Sequence, residues 1–319
     1  MQRRPLLLLG GLALAGCNAL PLVEDPRIQG SPRPTYTPTP PARLAGVDHA
    51  TGLEMAAAGV LAASASAPWA AADGSRWPLL AGIRRSHAAV LGSVDPLRRQ
   101  AGPVPSVPPV AAAATRDAGV AAMTAALVSL RDAELVLARE SSGVASALWA
   151  SLAAAAEQAR AALSLAVTAA TPAVPMRLVD VVTPWDVAAN RVLSRYHEAV
   201  YGSQSALGFL PPRHPWRTPV SLLVTGLKAE RDSLVAHLRS RSVTPDPGAP
   251  AYSLPTATTD AEIQALLGGL VRAITQACGV WVASADPEGR QRAAAGLVSA
   301  STLGLPLGLG LAEWPGWPD

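Results

Sequence analysis

The run Val120-Ala-Ala-Met-Thr-Ala-Ala-Leu-Val-Ser-Leu-Arg-Asp-Ala-Glu-Leu-Val-Leu137 decides the fold class. Val120, Met123, Leu127, Leu130 and Leu137 recur at helical spacing, which gathers them into one apolar stripe on one side of an α-helix. Many of the residues between them are Ala, which loses no side-chain entropy in a helix. The pattern predicts a helix over about 111–140 that buries one face.

The same reading extends outward in both directions. Before this run, helices are predicted over about 48–65 and 76–92, followed by the Pro-rich connector Gly102–Pro109. After the break Ser141-Ser142-Gly143, a fourth helix is predicted over about 144–170. Thr171-Pro-Ala-Val-Pro175 ends this set, because two prolines in five residues do not fit a helix interior. The short run Leu178–Val182 reads as extended.

Four more helices are predicted over about 184–210, 218–241, 260–284 and 287–303. Their start signals are local. Thr183-Pro184-Trp185-Asp186 and Thr218-Pro219 each offer a capping hydroxyl and a proline at the first helical position. Thr259 with Glu262 forms a capping box, and Asp286-Pro287 repeats the cap-then-proline pattern. Val and Ile form no alternating runs, so the expected fold is all-α. It is read as two successive four-helix bundles, an N-terminal one over 45–171 and a second over 183–317, with a single eight-helix body as the alternative.

Composition agrees. The chain has 319 residues, half of them apolar, with one Phe but eight Trp. Several Trp (Trp69, Trp77, Trp216, Trp314 and Trp317) fall near helix ends or in loops. They read as plugs for an Ala-rich core in preference to a binding surface. The net charge of +3 is spread thinly, and no basic run is interleaved with aromatics, so no nucleic-acid partner is expected.

The N-terminus carries an address. Arg3 and Arg4 precede an apolar stretch too short to span a bilayer, and that stretch ends in Leu14-Ala15-Gly16-Cys17, a lipobox. Residues 1–16 are read as a lipoprotein signal peptide and Cys17 as the lipidated first residue of the mature chain. The membrane is then a partner through diacylglyceryl-Cys17, and the location is the extracytoplasmic face of the cell membrane. Whether export follows the general or the twin-arginine route stays open. Residues 17–44, rich in proline, read as a disordered tether. With Cys17 acylated, Cys278 has no partner for a disulfide within the chain and reads as a small buried core residue.

Several short motifs fall in a recognisable order. Tyr196-His-Glu-Ala-Val-Tyr-Gly202, Arg231-Asp-Ser-Leu234, Ala251-Tyr-Ser-Leu-Pro255 before Thr259-Asp260, and Trp314-Pro-Gly316 follow one another over residues 184–317. In that order they resemble the ferritin-like domain of unknown function of actinobacterial lipoproteins. Arg84-Arg85-Ser-His87 and Leu130-Arg-Asp-Ala-Glu134 resemble the N-terminal part of such lipoproteins. The resemblance implies a four-helix ferritin-like bundle on a lipid tether, with no established activity. Two positions depart from the family pattern: Tyr196 stands where an acid is usual, and Leu227 where a His is common.

A ferritin-like di-metal centre needs two Glu-x-x-His pairs plus two further carboxylates, and the chain contains no Glu-x-x-His. Weak candidates for a partial iron or manganese site are Glu198, Glu230 and His237 in the second half, and Glu54, His87 and Glu134 in the first. Glu134 falls inside the apolar stripe. An edge position reaching solvent is the favoured reading, and burial against His87 or Arg84 is the alternative. No nucleophile elbow or phosphate-binding loop is present, and the five histidines are scattered. No catalytic residue is assigned. The leading expectation is a non-enzymatic envelope lipoprotein that binds a ligand or an envelope protein partner, and the alternative is a ferritin-like metal-binding or redox protein.

Overall fold

The computed structural model describes residues 43–317, apart from 74–75, 99–101, 104–105, 108, 166–169 and 172–182. The expected signal peptide, Cys17 and the link Leu178–Val182 therefore lie outside the described residues. Those described form eight α-helices: α1 Val47–Ala65, α2 Arg76–Leu91, α3 Arg116–Glu140, α4 Gly143–Ala162, α5 Trp185–Phe209, α6 Arg217–Ser240, α7 Asp260–Ser284 and α8 Pro287–Thr302. Strand structure among them amounts to the parallel pairing of Ala170–Thr171 with Leu311–Ala312. The fold is all-α.

Most helix boundaries follow from local chemistry. Thr259 accepts from the Glu262 amide while the Glu262 carboxylate accepts from the Thr259 amide, completing the box at the start of α7. Asp286 caps α8 by accepting from the Gly289 amide, with Pro287 in the first position. Two expected caps are corrected. Helix α5 starts at Trp185 after Pro184, with no side-chain cap, and α6 starts at Arg217, so Thr218 and Pro219 sit inside its first turn. Proline is tolerated there because the first amides of a helix have no intrahelical acceptor. Helix α3 starts at Arg116, later than expected, because the Thr115 hydroxyl accepts from the Ala118 amide and caps it there. Helix α4 ends at Ala162, short of the expected 170.

The two sets of four helices share one topology. In the first, α1 packs on α2, α3 on α4 and α1 on α3. In the second, α5 packs on α6, α7 on α8 and α5 on α7. Each set is thus a helical hairpin, a long crossover (residues 92–115 or 241–259) and a second hairpin. The sets are not separate bodies. Helix α4 also packs on α7 and α8, and α3 packs on α8. Leu148, Trp149 and Leu152 of α4 belong to the same buried cluster as Ile274 and Trp281 of α7 and Leu297 of α8. Residues 41–319 form one compact unit, and Leu44, at the end of the expected tether, already packs on its core.

Helix α4 makes this sharing feasible. From Ser146 to Ala156 every residue is buried, whichever side of the helix it faces. A helix buried all round must be apolar all round, and in α4 the side chains are mostly alanine, so helices can approach from both flanks. Helix α7 is long and apolar enough by composition to cross a membrane, but it packs against α4, α5 and α8. It serves as a core helix here.

A close-packed shared wall leaves no room for larger side chains. Ala154→Leu in α4 should therefore lower stability by about 1–3 kcal/mol through overpacking, whereas Ala122→Leu on the exposed face of α3 should be close to neutral. Denaturant unfolding of both variants checks this.

Candidate functional site

Arg84 and His87 lie three residues apart on α2, which puts both on one face, directed into the first helical set. Glu54 on α1 and Glu134 on α3 meet them there. All four side chains are 0 % exposed. Glu134 corrects the sequence expectation, which had it reaching solvent. Its stripe runs through Met123, Leu127, Leu130, Glu134 and Ala138, all buried. At helical spacing Glu134 falls in the middle of that face, and Leu137 falls beside it.

Within the quartet, Glu54 Oε1 accepts from Arg84 Nη1 at 3.3 Å and lies 2.9 Å from His87 Nδ1. The other imidazole nitrogen, Nε2, lies 2.7 Å from the carbonyl oxygen of Glu313. A carbonyl only accepts, so Nε2 carries a hydrogen and donates it. The Nδ1–Oε1 contact then holds a proton between imidazole and carboxylate. Burial, and next the adjacent Glu54 carboxylate, hold the Glu134 carboxyl well above its usual range, outweighing the pull of Arg84.

Glu313 and Trp314 belong to the C-terminal segment, which reaches across from the second helical set. The Trp314 ring lies on the His87 ring with centroids 4.4 Å apart, and the Ser86 hydroxyl donates to the Glu313 carboxylate. Gln158 of α4 tethers the same segment by accepting from the Ala312 amide at 3.2 Å, while donating to the Ser301 carbonyl at 2.6 Å. Gly316 adopts φ +81°, and a Cβ on Gly279 of α7 would lie 1.9 Å from the Gly316 carbonyl oxygen. The segment therefore docks on α7 through two glycines that leave no space between them. Between this segment, α7 and the ends of α4 and α8 lies a cavity of about 150 Å³, lined by Gln158, Val271, Arg272, Thr275, Leu309 and Trp317 among others.

The second set of candidate ligands does not converge. Glu198 pairs with Arg195 at 2.6 Å. Glu230 accepts from the Ser299 hydroxyl at 2.6 Å and from Arg292 at 3.3 Å. His237 lies against Trp281, with its pKa lowered by partial burial and by Arg292 and Arg241. Nearby, Cys278 is buried, and burial pushes its thiol up to about 12. Among the described residues, no group of three or more His, Cys, Asp or Glu is arranged to hold a metal ion.

The first trio does meet, but its donors do not fit iron or manganese. The Arg84 guanidinium already supplies a cation to Glu54, and both His87 nitrogens are engaged. Sequence reading favours solvent exposure for Glu134 and holds burial against His87 or Arg84 as the alternative. It missed Glu313 and Trp314, which lie more than 220 residues from His87 and carry no local signal of the contact.

Comparison with known proteins assigns the second helical set. Residues 188–319 form a DUF4439 domain, a domain of unknown function. No curated protein and no solved structure matches the chain. The C-terminal segment belongs to the DUF4439 domain, so this domain supplies the carbonyl that His87 holds and the Trp that covers it. The quartet itself belongs to the helices that precede the domain.

Two outcomes follow from this geometry. Because Glu134 keeps its proton in the fold at pH values where the unfolded chain has released it, the folded state binds more protons. Its contribution is then full below the ordinary value near 4.5 and is lost as pH rises through the raised value. Glu134→Gln should remove that decline, seen as a flatter dependence of melting temperature on pH above the ordinary carboxyl range. Separately, Gly279→Ala should undock the C-terminal segment, since the added methyl meets backbone and not a mobile side chain. Faster amide hydrogen exchange over residues 311–317, with α6 unchanged, is the expected readout.

Proposed function

We propose that the protein is a lipid-anchored lipoprotein of the cell envelope, attached through diacylglyceryl-Cys17 at the extracytoplasmic face. Its helical body binds a small ligand in the cavity beneath the C-terminal segment. The lipobox Leu14-Ala15-Gly16-Cys17 supports the anchor. The observation that carries the binding role is the cavity itself. It mixes apolar walls (Val271, Leu309 and Trp317) with polar groups (Gln158, Arg272 and Thr275), as small-molecule sites do.

A ferritin-like descent for both helical sets is supported by their shared topology, since ferritin-like bundles join two helical hairpins by one long crossover. In this reading the buried positions have lost metal chemistry: at the heart of the first set, Arg84 supplies the positive charge that Glu54 faces.

Two measurements test the reading. Growth with an alkyne fatty acid should label the wild-type chain and leave Cys17→Ala unlabelled; equal labelling rejects the anchor. Native mass spectrometry of the purified chain should show a co-purifying small molecule that Gln276→Trp, at the cavity wall, displaces. No adduct, or the same adduct in the variant, rejects the cavity as the binding site.

A further inference from the structure

The turn between α5 and α6 differs in character from the rest of the surface. Residues 199–229, covering the end of α5, the turn and the first half of α6, contain no Asp or Glu. They do contain Arg213, Arg217 and Lys228, none of which forms an ion pair among the described residues. Phe209, the one phenylalanine of the chain, is 56 % exposed at the end of α5, and Leu222, early in α6, is 65 % exposed. Pro211, Pro212, Arg213 and Pro215 of the turn are also exposed.

The turn is held firmly. Arg217 Nη1 donates to the carbonyls of Leu210 at 2.7 Å and Leu207 at 3.2 Å, closing the end of α5. His214 Nδ1 accepts from the Trp216 amide at 3.2 Å, and its Nε2 lies 3.1 Å from Asp260. Asp260, the acid that reaches the turn, is thus occupied by His214. Phe209 is presented to solvent by a pre-ordered loop, so its engagement costs little conformational entropy.

We propose that the α5–α6 turn is a docking surface for an anionic membrane, inserting Phe209 and Leu222 while Arg213 and Arg217 face phospholipid headgroups. The inference rests on the lipoprotein reading for its setting, and the tether geometry permits it. The body begins beside α3, where Gly46 lies against Leu137. That pole also holds the start of α8, through Arg290 and the Arg139 carbonyl. It holds the start of α5 as well, through Arg241, which pairs with Asp286 and covers Trp185. The turn is at the far end of α5, whose 25 residues span about 37 Å. A proline-rich stretch of this length would reach roughly 80 Å if extended at about 3.1 Å per residue, enough to let the far pole meet a bilayer. Basic residues near an anionic surface strengthen attachment, and the two apolar side chains add to that.

The test uses residues 43–319, which contain the whole core of the compact unit, without the acyl anchor. Sedimentation with phosphatidylcholine vesicles should be weak, and it should rise strongly when phosphatidylglycerol is included. The double variant Phe209→Ser, Leu222→Ser should lose at least about tenfold in binding with an unchanged melting temperature, as expected for two inserted side chains. Arg213→Ser should weaken binding at low salt and less at high salt. Equal sedimentation with both vesicle types, no sedimentation of the wild type, or undiminished binding by the double variant overturns the proposal. None of these results bears on Cys17 acylation, which is read separately by the fatty-acid label.

Discussion

Much of this structure depends on the small side chains of α4. A helix buried from Ser146 to Ala156 on every side must meet neighbours on all flanks, and alanine lets it do so at close range. Larger residues would force two bundles apart; here α4 closes the first helical set while serving as a wall for α7 and α8 of the second. The apolar area that α4 buries is therefore shared, and the stability of each set depends on the other. A chain poor in large aromatics builds a sizeable core in this way, placing Trp149 and Trp281 in the cluster shared by both sets.

Burial at that density makes polar groups consequential. At the centre of the first set, pairing of Glu54 with Arg84 and His87 offsets the desolvation cost of three buried groups, and Glu134 meets its own by keeping its proton. Glu54 gathers Arg84 and His87, and His87 passes the link on to the Glu313 backbone in the DUF4439 domain. The imidazole thereby joins two helical sets that are distant in sequence. Groups that hold one geometry through such links specify an arrangement more than they stabilise it. The C-terminal segment, pinned by His87, Gln158 and the Gly279–Gly316 contact, is the element on which the cavity depends.

The same logic separates the two candidate metal sets. In the first, convergence occurred and the cation is a guanidinium. In the second, Glu198, Glu230 and His237 share a domain but not a centre. Glu198 takes Arg195 one turn away, Glu230 takes Ser299 and Arg292 from α8, and His237 packs on Trp281. Residue type and rough helical face were suggestive in both halves, yet only one set met.

The number, type and approximate limits of the helices were legible in the sequence, because spacing of apolar residues, caps such as Thr259 and Asp286, and breaks at Pro and Gly are local properties. The buried role of Glu134 was half legible. Its neighbours revealed the stripe, but whether the stripe centred on residue 134 or on Leu137 depended on which helices approached α3. The union of both helical sets through α4, the approach of Glu313 and Trp314 to His87, and the cavity beneath the C-terminal segment belong to tertiary structure alone. They join residues on elements far apart in the chain, where no periodicity or cap connects them. Local chemistry determined which helices form, and packing decided which of their polar residues would meet.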